Sequence, residues 1–357
     1  MINAHNEWDP LEEVLVGDVV GAVYPPYTPI TAANGDPKWL ASYAGLAVED
    51  ELVVAASEQL SAFVDVLTAE GVRVHRPDPY PHGAAIQTPE WRAPCGWNAA
   101  NPRDLFLVVG DTIIEAASPH RHRSNERFAY RAVFEALSAH AGRWFAAPPP
   151  RLHDATYDHG RVLESAASHD AAPLGEGQRF RSPIGEREPL WEAADFVRCG
   201  DFLVGMQSHV TNAAGLAWVA RHCGRDVVEL ESRCPRPNHI DTTFVPLREG
   251  VALVHPTWLD AGTLPERLQG WKLIPAPAPQ YETGSPMATP YFTSQWLSMN
   301  VFSLDPERVF VDAGQRDLIA LLKREGFAPI PLPFDAVGAF GGSFHCVTLD
   351  LRRRAER

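Results

Sequence analysis

The sequence predicts an α/β protein in which one unit is used five times: a two-stranded hairpin, a helix and a third strand, set in a ring around a central cavity. Three observations predict it. The same order of apolar runs and helical spacing recurs along the chain. Turn signals such as Gly110-Asp111 and Gly200-Asp201 divide pairs of short apolar runs. The first unit lacks one strand, and a strand is left over at the far end.

The elements follow in order. Residues 13–16 are extended, a helix runs over about 51–70 and stops at Gly71, and 72–76 is extended again. Residues 105–109 and 112–115 flank Gly110-Asp111; 127–140 has helical spacing and 143–147 is extended. Residues 196–199 and 202–206 flank Gly200-Asp201, with a helix over 212–223 and a strand over 226–230. The next unit pairs 243–247 with 251–255 across Arg248-Glu249-Gly250, puts 264–270 in the helix position and 271–274 in the strand position. The last has 299–304, Asp305-Pro306-Glu307, 308–312, a helix over 315–325 ending at Gly326, and 329–332. Residues 347–351 remain and supply the first unit's missing strand, so the two ends close the ring and no sheet edge stays exposed. A doubly wound parallel sheet, the alternative, leaves the hairpin before each helix unexplained.

A length of 357 residues allows two average domains or one large closed fold; the repeat favours a single domain over 1–357. Pro-rich linkers at 77–81, 148–150 and 275–279 follow third strands. The stretches 18–50 and 153–190 are long, polar and rich in Gly and Pro, the pattern of lids or of irregular loops.

A net charge of -14 disfavours nucleic-acid or anionic-membrane partners and suits a small cationic substrate. No uninterrupted apolar stretch is expected to cross a bilayer, and the first residues lack a signal-peptide pattern, so a cytoplasmic protein is expected. Five cysteines without CxxC spacing suggest neither a disulfide framework nor a zinc knuckle.

The chemistry gathers on a few residues. Cys346 follows Gly341-Gly342 and His345 at the head of the last strand, and paired glycines permit close backbone approach to a ligand. Cys95, Cys199, Cys223 and Cys234 read as structural. His239 and Asp241 stand two apart in Asn238-His239-Ile240-Asp241, and strand alternation would put them on one side. An imidazolium near a thiol lowers its pKa. Asp195 and Asp104 each open a hairpin, in Ala193-Ala194-Asp195-Phe196 and Pro102-Arg103-Asp104, where either could be a ligand or a turn cap. His120-Arg121-His122-Arg123 reads as a solvated or anion-contacting loop, since its arginines would repel a metal cation.

Several ordered landmarks carry a resemblance. They are Asn6-Glu7-Trp8-Asp9-Pro10-Leu11-Glu12-Glu13-Val14, Pro102-Arg103-Asp104, Val109-Gly110-Asp111-Thr112-Ile113-Ile114-Glu115-Ala116, Glu192-Ala193-Ala194-Asp195-Phe196, His239-Ile240-Asp241, Trp296-Leu297-Ser298-Met299-Asn300-Val301 and Gly341 to Cys346. Across nearly its whole length the chain resembles the amidinotransferase family, which includes arginine:glycine and arginine:inosamine-phosphate enzymes. The resemblance implies the five-bladed α/β-propeller of guanidine-modifying enzymes. It also implies Cys346 as nucleophile, His239 as general acid/base, Asp195 as its partner, Asp104 and Asp241 as guanidinium ligands, and a possible homodimer. Thr293 and Ser294 keep the family's hydroxyl pair, and Met299 and Asn300 lie in the adjoining landmark as substrate-binding candidates.

The chain departs from the family at Trp258, which stands where glycine-type enzymes carry a carboxylate-binding arginine. Glycine is therefore doubtful as acceptor, and Trp258 or Trp97 is expected to line a pocket for a larger or less acidic amine. The reaction expected is transfer of the amidino group of L-arginine, by way of a cysteine adduct, to a small primary amine such as an amino acid or aminocyclitol, with ornithine released. No metal or organic cofactor is called for. A hydrolase of the same fold and a noncatalytic guanidine-binding protein are the alternatives.

Overall fold

The computed structural model describes residues 2–35, 37–139, 142–165, 172–175, 177–288 and 293–354. Its frame is five three-stranded sheets with one shared plan. In each, a middle strand runs antiparallel to its hairpin partner and parallel to the strand that returns after the crossover. The hairpins Phe106–Val109/Thr112–Glu115 and Phe196–Arg198/Phe202–Gly205 turn on Gly110 and Gly200, whose φ of +58° and +84° suit a residue without Cβ. Middle strands Thr112–Glu115, Phe202–Gly205 and Val251–Val254 are buried along their whole length, which is why the last two read as unbroken apolar runs.

The two chain ends meet as expected. Leu11–Val16 pairs antiparallel with Thr348–Arg353 and parallel with Arg73–His75. Cys346 therefore sits two residues before a strand anchored at the opposite end of the sequence.

Helices Asp50–Ala69, Ala213–His222 and Arg316–Arg324 fill their units' crossovers. In the second unit, helix Arg131–Ser138 is preceded by a 3-10 turn, Glu126–Tyr130; the end of the expected 127–140 helix, at 140, lies outside the described residues. The fourth unit differs from expectation. Residues 264–270 form no α-helix but lie among 3-10 turns Ala261–Thr263 and Glu266–Leu268, because Pro265 and Gly270 bracket a segment too short to repay helix nucleation. The strand expected over 299–304 is also shorter. A 3-10 turn, Gln295–Met299, precedes it and only Phe302–Ser303 pairs, since Asn300 is turned aside to hold Cys346.

Helix Asp50–Ala69 has an 18-residue window of mean hydropathy 1.4, enough by length and composition alone to cross a membrane, but Glu58 and Asp65 interrupt its apolar run. Here its Ala56, Leu60, Phe63 and Leu67, at helical spacing, face the core. Phe63 meets Phe302, Phe310, Phe334 and Phe344 edge-on, with centroids 4.9–6.5 Å apart. Each such pair contributes about 0.5–1.5 kcal/mol beyond area burial. Phe344 lies two residues before the nucleophile candidate, so the helix buttresses the loop that carries it.

Below that loop is a buried ion network. Glu7 accepts from Arg198 at 2.8 Å and 2.6 Å and from Arg103 at 3.3 Å, and Asp350 bridges Arg103, Arg198 and Arg353. Arg103 also donates to the His345 carbonyl at 2.7 Å. Charges this deep are tolerable only because each meets its counter-charge.

Candidate active site

Cys346 is buried, and two side chains hold its sulfur. Asn300 Nδ2 donates to Sγ at 3.2 Å, and Sγ lies 3.3 Å from Asp241 Oδ2. Asn300 Oδ1 accepts the backbone N–H groups of His345 and Cys346 at 3.0 Å and 3.1 Å. The glycines before them are forced by packing: a Cβ on Gly342 would stand 2.1 Å from Asn101 Oδ1 and 2.5 Å from the Cys346 Cβ, and one on Gly341 would stand 2.5 Å from Trp97. Burial, followed by the Asp241 carboxylate, pushes the thiol up to about 12; a hydrogen bond with His239 opposes them.

His239 comes to the thiol by a different route from the one its spacing suggests. Ile240–Thr242 is a 3-10 turn, not the start of a strand, and His239 itself has φ +66°. A non-glycine residue there stores about 1–3 kcal/mol, strain that recurs at functional sites. Burial disfavours the imidazolium, yet Asp104, the Cys346 contact and Glu192 outweigh it and hold the pKa well above the ordinary histidine value. His239 Nε2 meets Glu192 Oε2 at 2.8 Å, and Nδ1 lies 3.6 Å from Asp104 Oδ1.

Glu192, then, occupies the place expected of Asp195. Asp195 Oδ2 instead accepts from Ser208 and Thr211, both at 2.5 Å, and burial pushes its pKa up to about 7. Both acids flank the 3-10 turn Ala193–Asp195, and the longer glutamate reaches the imidazole. Ser118 Oγ and Arg123 fix the other glutamate oxygen at 2.5 Å and 3.4 Å.

The His120-Arg121-His122-Arg123 segment is likewise not a solvated loop. His122 and Arg123 are 1% and 2% exposed, and Arg123 binds Glu126, Asp104 and Glu192. Its charge offsets Glu126 on its own segment and Asp104 and Glu192 from two others, so a run of bases in sequence becomes a buried counter-ion. His120, His122 and His209 are pushed down by burial, to about 4 for His120 and about 3 for His209, and line the cavity as neutral rings.

A cavity of about 610 Å³ opens in front of these groups. Asp104, Glu192, His239 and Asp241 line it, as do Trp97, Trp258, Thr293, Ser294 and Trp296. Asp104 Oδ1 and Asp241 Oδ1 are buried without a hydrogen-bond partner among the described residues, so each has an oxygen available to a cation bearing N–H groups. His345 Nδ1 orients Asp241 at 2.8 Å, while its Nε2 points to Glu7 at 3.4 Å. Trp258 stacks on His255 at 3.5 Å. Met299 departs from expectation: fully buried, it packs with Val245, Leu253 and Val309 in the core rather than on the cavity wall. From the long segments, Pro25, Thr31 and Asn34 on one side and Pro173 on the other reach the cavity, and helix Pro29–Asn34 packs against helix His159–Ser165.

Asp104, His239 and Cys346 offer ligand atoms that all lie within 4.8 Å of one another, a grouping able to hold a thiophilic metal ion. All five cysteines are free, and Cys234 also lines the cavity.

Fold and pocket together define an α/β enzyme built around a buried cysteine. No family model matches the chain. It is 37% identical over 358 residues to the L-arginine:L-lysine amidinotransferase of Pseudomonas savastanoi pv. phaseolicola, covering 99% of this chain and 94% of that protein. Among solved structures, an amidinotransferase of the saxitoxin biosynthetic pathway from Microseira wollei is 40% identical with a TM-score of 0.88, covering 99% and 98%. The inosamine-phosphate amidinotransferase of Streptomyces griseus is 33% identical with a TM-score of 0.85, covering 100% and 98%. The chain belongs to the amidinotransferase family and is a transferase.

Proposed function

We propose that the protein moves the amidino group of L-arginine through an adduct on Cys346 to a primary amine larger or less acidic than glycine, releasing L-ornithine. One observation carries the reading: His239, Asp104 and Asp241, the last two with Oδ1 atoms that lack a hydrogen-bond partner among the described residues, line one cavity and stand beside the Cys346 thiol. A guanidinium stays protonated and resists water, but two carboxylates can grip its N–H groups and present its central carbon to sulfur.

The electrostatics supply a trigger. In the free enzyme burial, and after it the carboxylates of Asp241 and Asp104, keep Cys346 a thiol. A docking cation neutralises them, which lowers the cost of the thiolate just where its target lies. As the cation docks, Cys346 loses its proton to solvent and the thiolate attacks the guanidinium carbon; the bond from that carbon to the ornithine nitrogen breaks as His239 gives its proton to the departing amine, while Glu192 steadies the ring. Ornithine leaves with that proton. The acceptor amine then loses its proton to His239, attacks the same carbon and expels the thiolate, giving ping-pong kinetics.

The acceptor follows from the walls. The cavity is far larger than glycine needs, and Trp258, Trp97 and the neutral rings of His120, His122 and His209 give it aromatic and uncharged polar surface. Arg123 is committed to acids and Arg236 donates to the Ala33 carbonyl at 2.5 Å. An amine whose tail stacks and shares hydrogen bonds suits such a wall.

The five like sheets and the paired chain ends support a five-bladed propeller over 1–357, with the segments 18–50 and 153–190 as lids that keep water from the adduct. A cytoplasmic homodimer completes the reading. The test is intact-mass spectrometry after mixing with arginine alone. An amidino adduct on Cys346 with ornithine released is expected; steady citrulline production without an amine would make the protein a hydrolase instead.

A further inference from the structure

His255 ends the strand Val251–Val254, and its backbone N–H donates to the Thr243 carbonyl at 2.9 Å, tying it to the turn that carries His239 and Asp241. Its ring is 4% exposed and lines the cavity. Two indoles fix its plane: Trp258 lies flat on it at 3.5 Å with 5° between planes, and Trp296 is tilted at 3.9 Å. Nδ1 accepts the Thr257 backbone N–H at 3.2 Å. That bond decides the tautomer, because a nitrogen that accepts cannot also carry hydrogen. Burial pushes the pKa down to about 3, so at neutral pH the ring is uncharged and its one proton sits on Nε2. Nε2 is buried and has no hydrogen-bond partner among the described residues. A buried donor without an acceptor is costly, and a substrate oxygen would relieve that cost.

Two hydroxyls stand on the same wall. Ser294 Oγ already accepts the Trp296 backbone N–H at 3.1 Å, which leaves its own hydrogen to give, and Thr293 Oγ1 lies 3.9 Å from the Met287 sulfur, a weak acceptor. Three neutral donors thus collect near the turn that presents Asp241. We propose that the His255 Nε2–H, aided by Thr293 and Ser294, binds the α-carboxylate of the donor arginine, a neutral anchor held in register by Trp258 and Trp296. The inference rests on arginine as donor. Trp258 then serves as the plate that fixes His255, and the tail of the amino acid is held without a cation.

The test follows adduct formation on Cys346 against donor concentration, with arginine and with agmatine, its decarboxylated analogue, in wild-type, His255→Phe and His255→Gln enzymes. Phenylalanine keeps the stack and removes the donor; glutamine restores an N–H near the place of Nε2. Expected is a rise of about ten- to a hundred-fold in the arginine concentration needed by His255→Phe, the effect of losing a hydrogen bond to a charged group. Agmatine kinetics should stay unchanged, and His255→Gln should recover most of the loss. An arginine dependence unmoved in His255→Phe, or an equal loss with agmatine, overturns the anchor. Absence of any adduct in the wild-type enzyme would instead overturn the donor reading on which it stands.

Discussion

Asn300 holds Cys346 at two points, its Nδ2 on the sulfur at 3.2 Å and its Oδ1 on the backbone N–H at 3.1 Å. One amide side chain therefore sets both where the thiol stands and which way it faces. Asn300→Ala should lower kcat by about a hundred-fold, the scale of losing one preorganised donor, while the KM for arginine changes little. Steady-state kinetics in a folded variant check this; a KM effect alone would place Asn300 in binding rather than in positioning.

Glu192 and Asp195 should part company on substitution. In Glu192→Gln, loss of the carboxylate beside Nε2 lets the His239 pKa fall, so the pH–rate limb set by that group moves to lower pH and kcat drops steeply. Asp195→Asn leaves that contact intact and should shift the limb far less. Full pH profiles of both variants decide it.

The thiol's own ionisation is open to measurement. With Cys346 pushed up to about 12, iodoacetamide should alkylate it slowly in the free enzyme, with a rate that climbs past pH 9 without a plateau. Asp241→Asn removes the charge 3.3 Å from sulfur and should speed alkylation while abolishing turnover. Peptide mass mapping of the labelled site gives both answers.

Acid should unfold the protein by way of its buried histidines. His120 at about 4 and His209 at about 3 bind fewer protons when folded than when unfolded, where a histidine titrates near 6.5. Their contribution is complete above pH about 6.5 and is lost as pH falls toward those folded values, at about 1.4 kcal/mol per pKa unit for each ring. Denaturant midpoints between pH 7 and 4 should fall continuously. A midpoint flat across that interval would mean these rings are protonated in the fold.

Acceptor choice should respond to Trp258. Trp258→Arg puts a guanidinium on the wall and should raise kcat/KM for glycine relative to bulkier amines, read from a panel of primary amines with arginine fixed. Glycine already preferred by the wild-type enzyme would refute the aromatic-pocket reading.

Much of the frame was legible because its signals are local. Gly110, Gly200 and alternating apolar runs declare hairpins, and strand 11–16 could find its partner at 348–353 by counting what was missing. The grouping of the candidate site was legible where a residue's identity suggests its chemistry, as for Cys346, His239, Asp104 and Asp241, which the fold brings together. It was illegible where reach and turn geometry decide. Glu192 and Asp195 are three apart, and only the 3-10 turn between them, with one extra methylene, selects which acid touches His239. Arg123 looked solvated because two of the acids that bury it, Asp104 and Glu192, come from other segments, although the third, Glu126, stands only three residues on. Met299 shared a landmark with Asn300, yet one faces the core and the other the sulfur. A finer signal for His255 was present in the sequence, three residues before Trp258, but nothing there fixes its tautomer.

The pairing of strand Leu11–Val16 with Thr348–Arg353 has a consequence for the life of the molecule. During synthesis the first of these must wait, one edge unmatched, while more than three hundred residues emerge, so the loop that carries Cys346 can be seated only after Thr348–Arg353 has been made. A fragment released before that pairing leaves the Cys346 loop without the strand that anchors it.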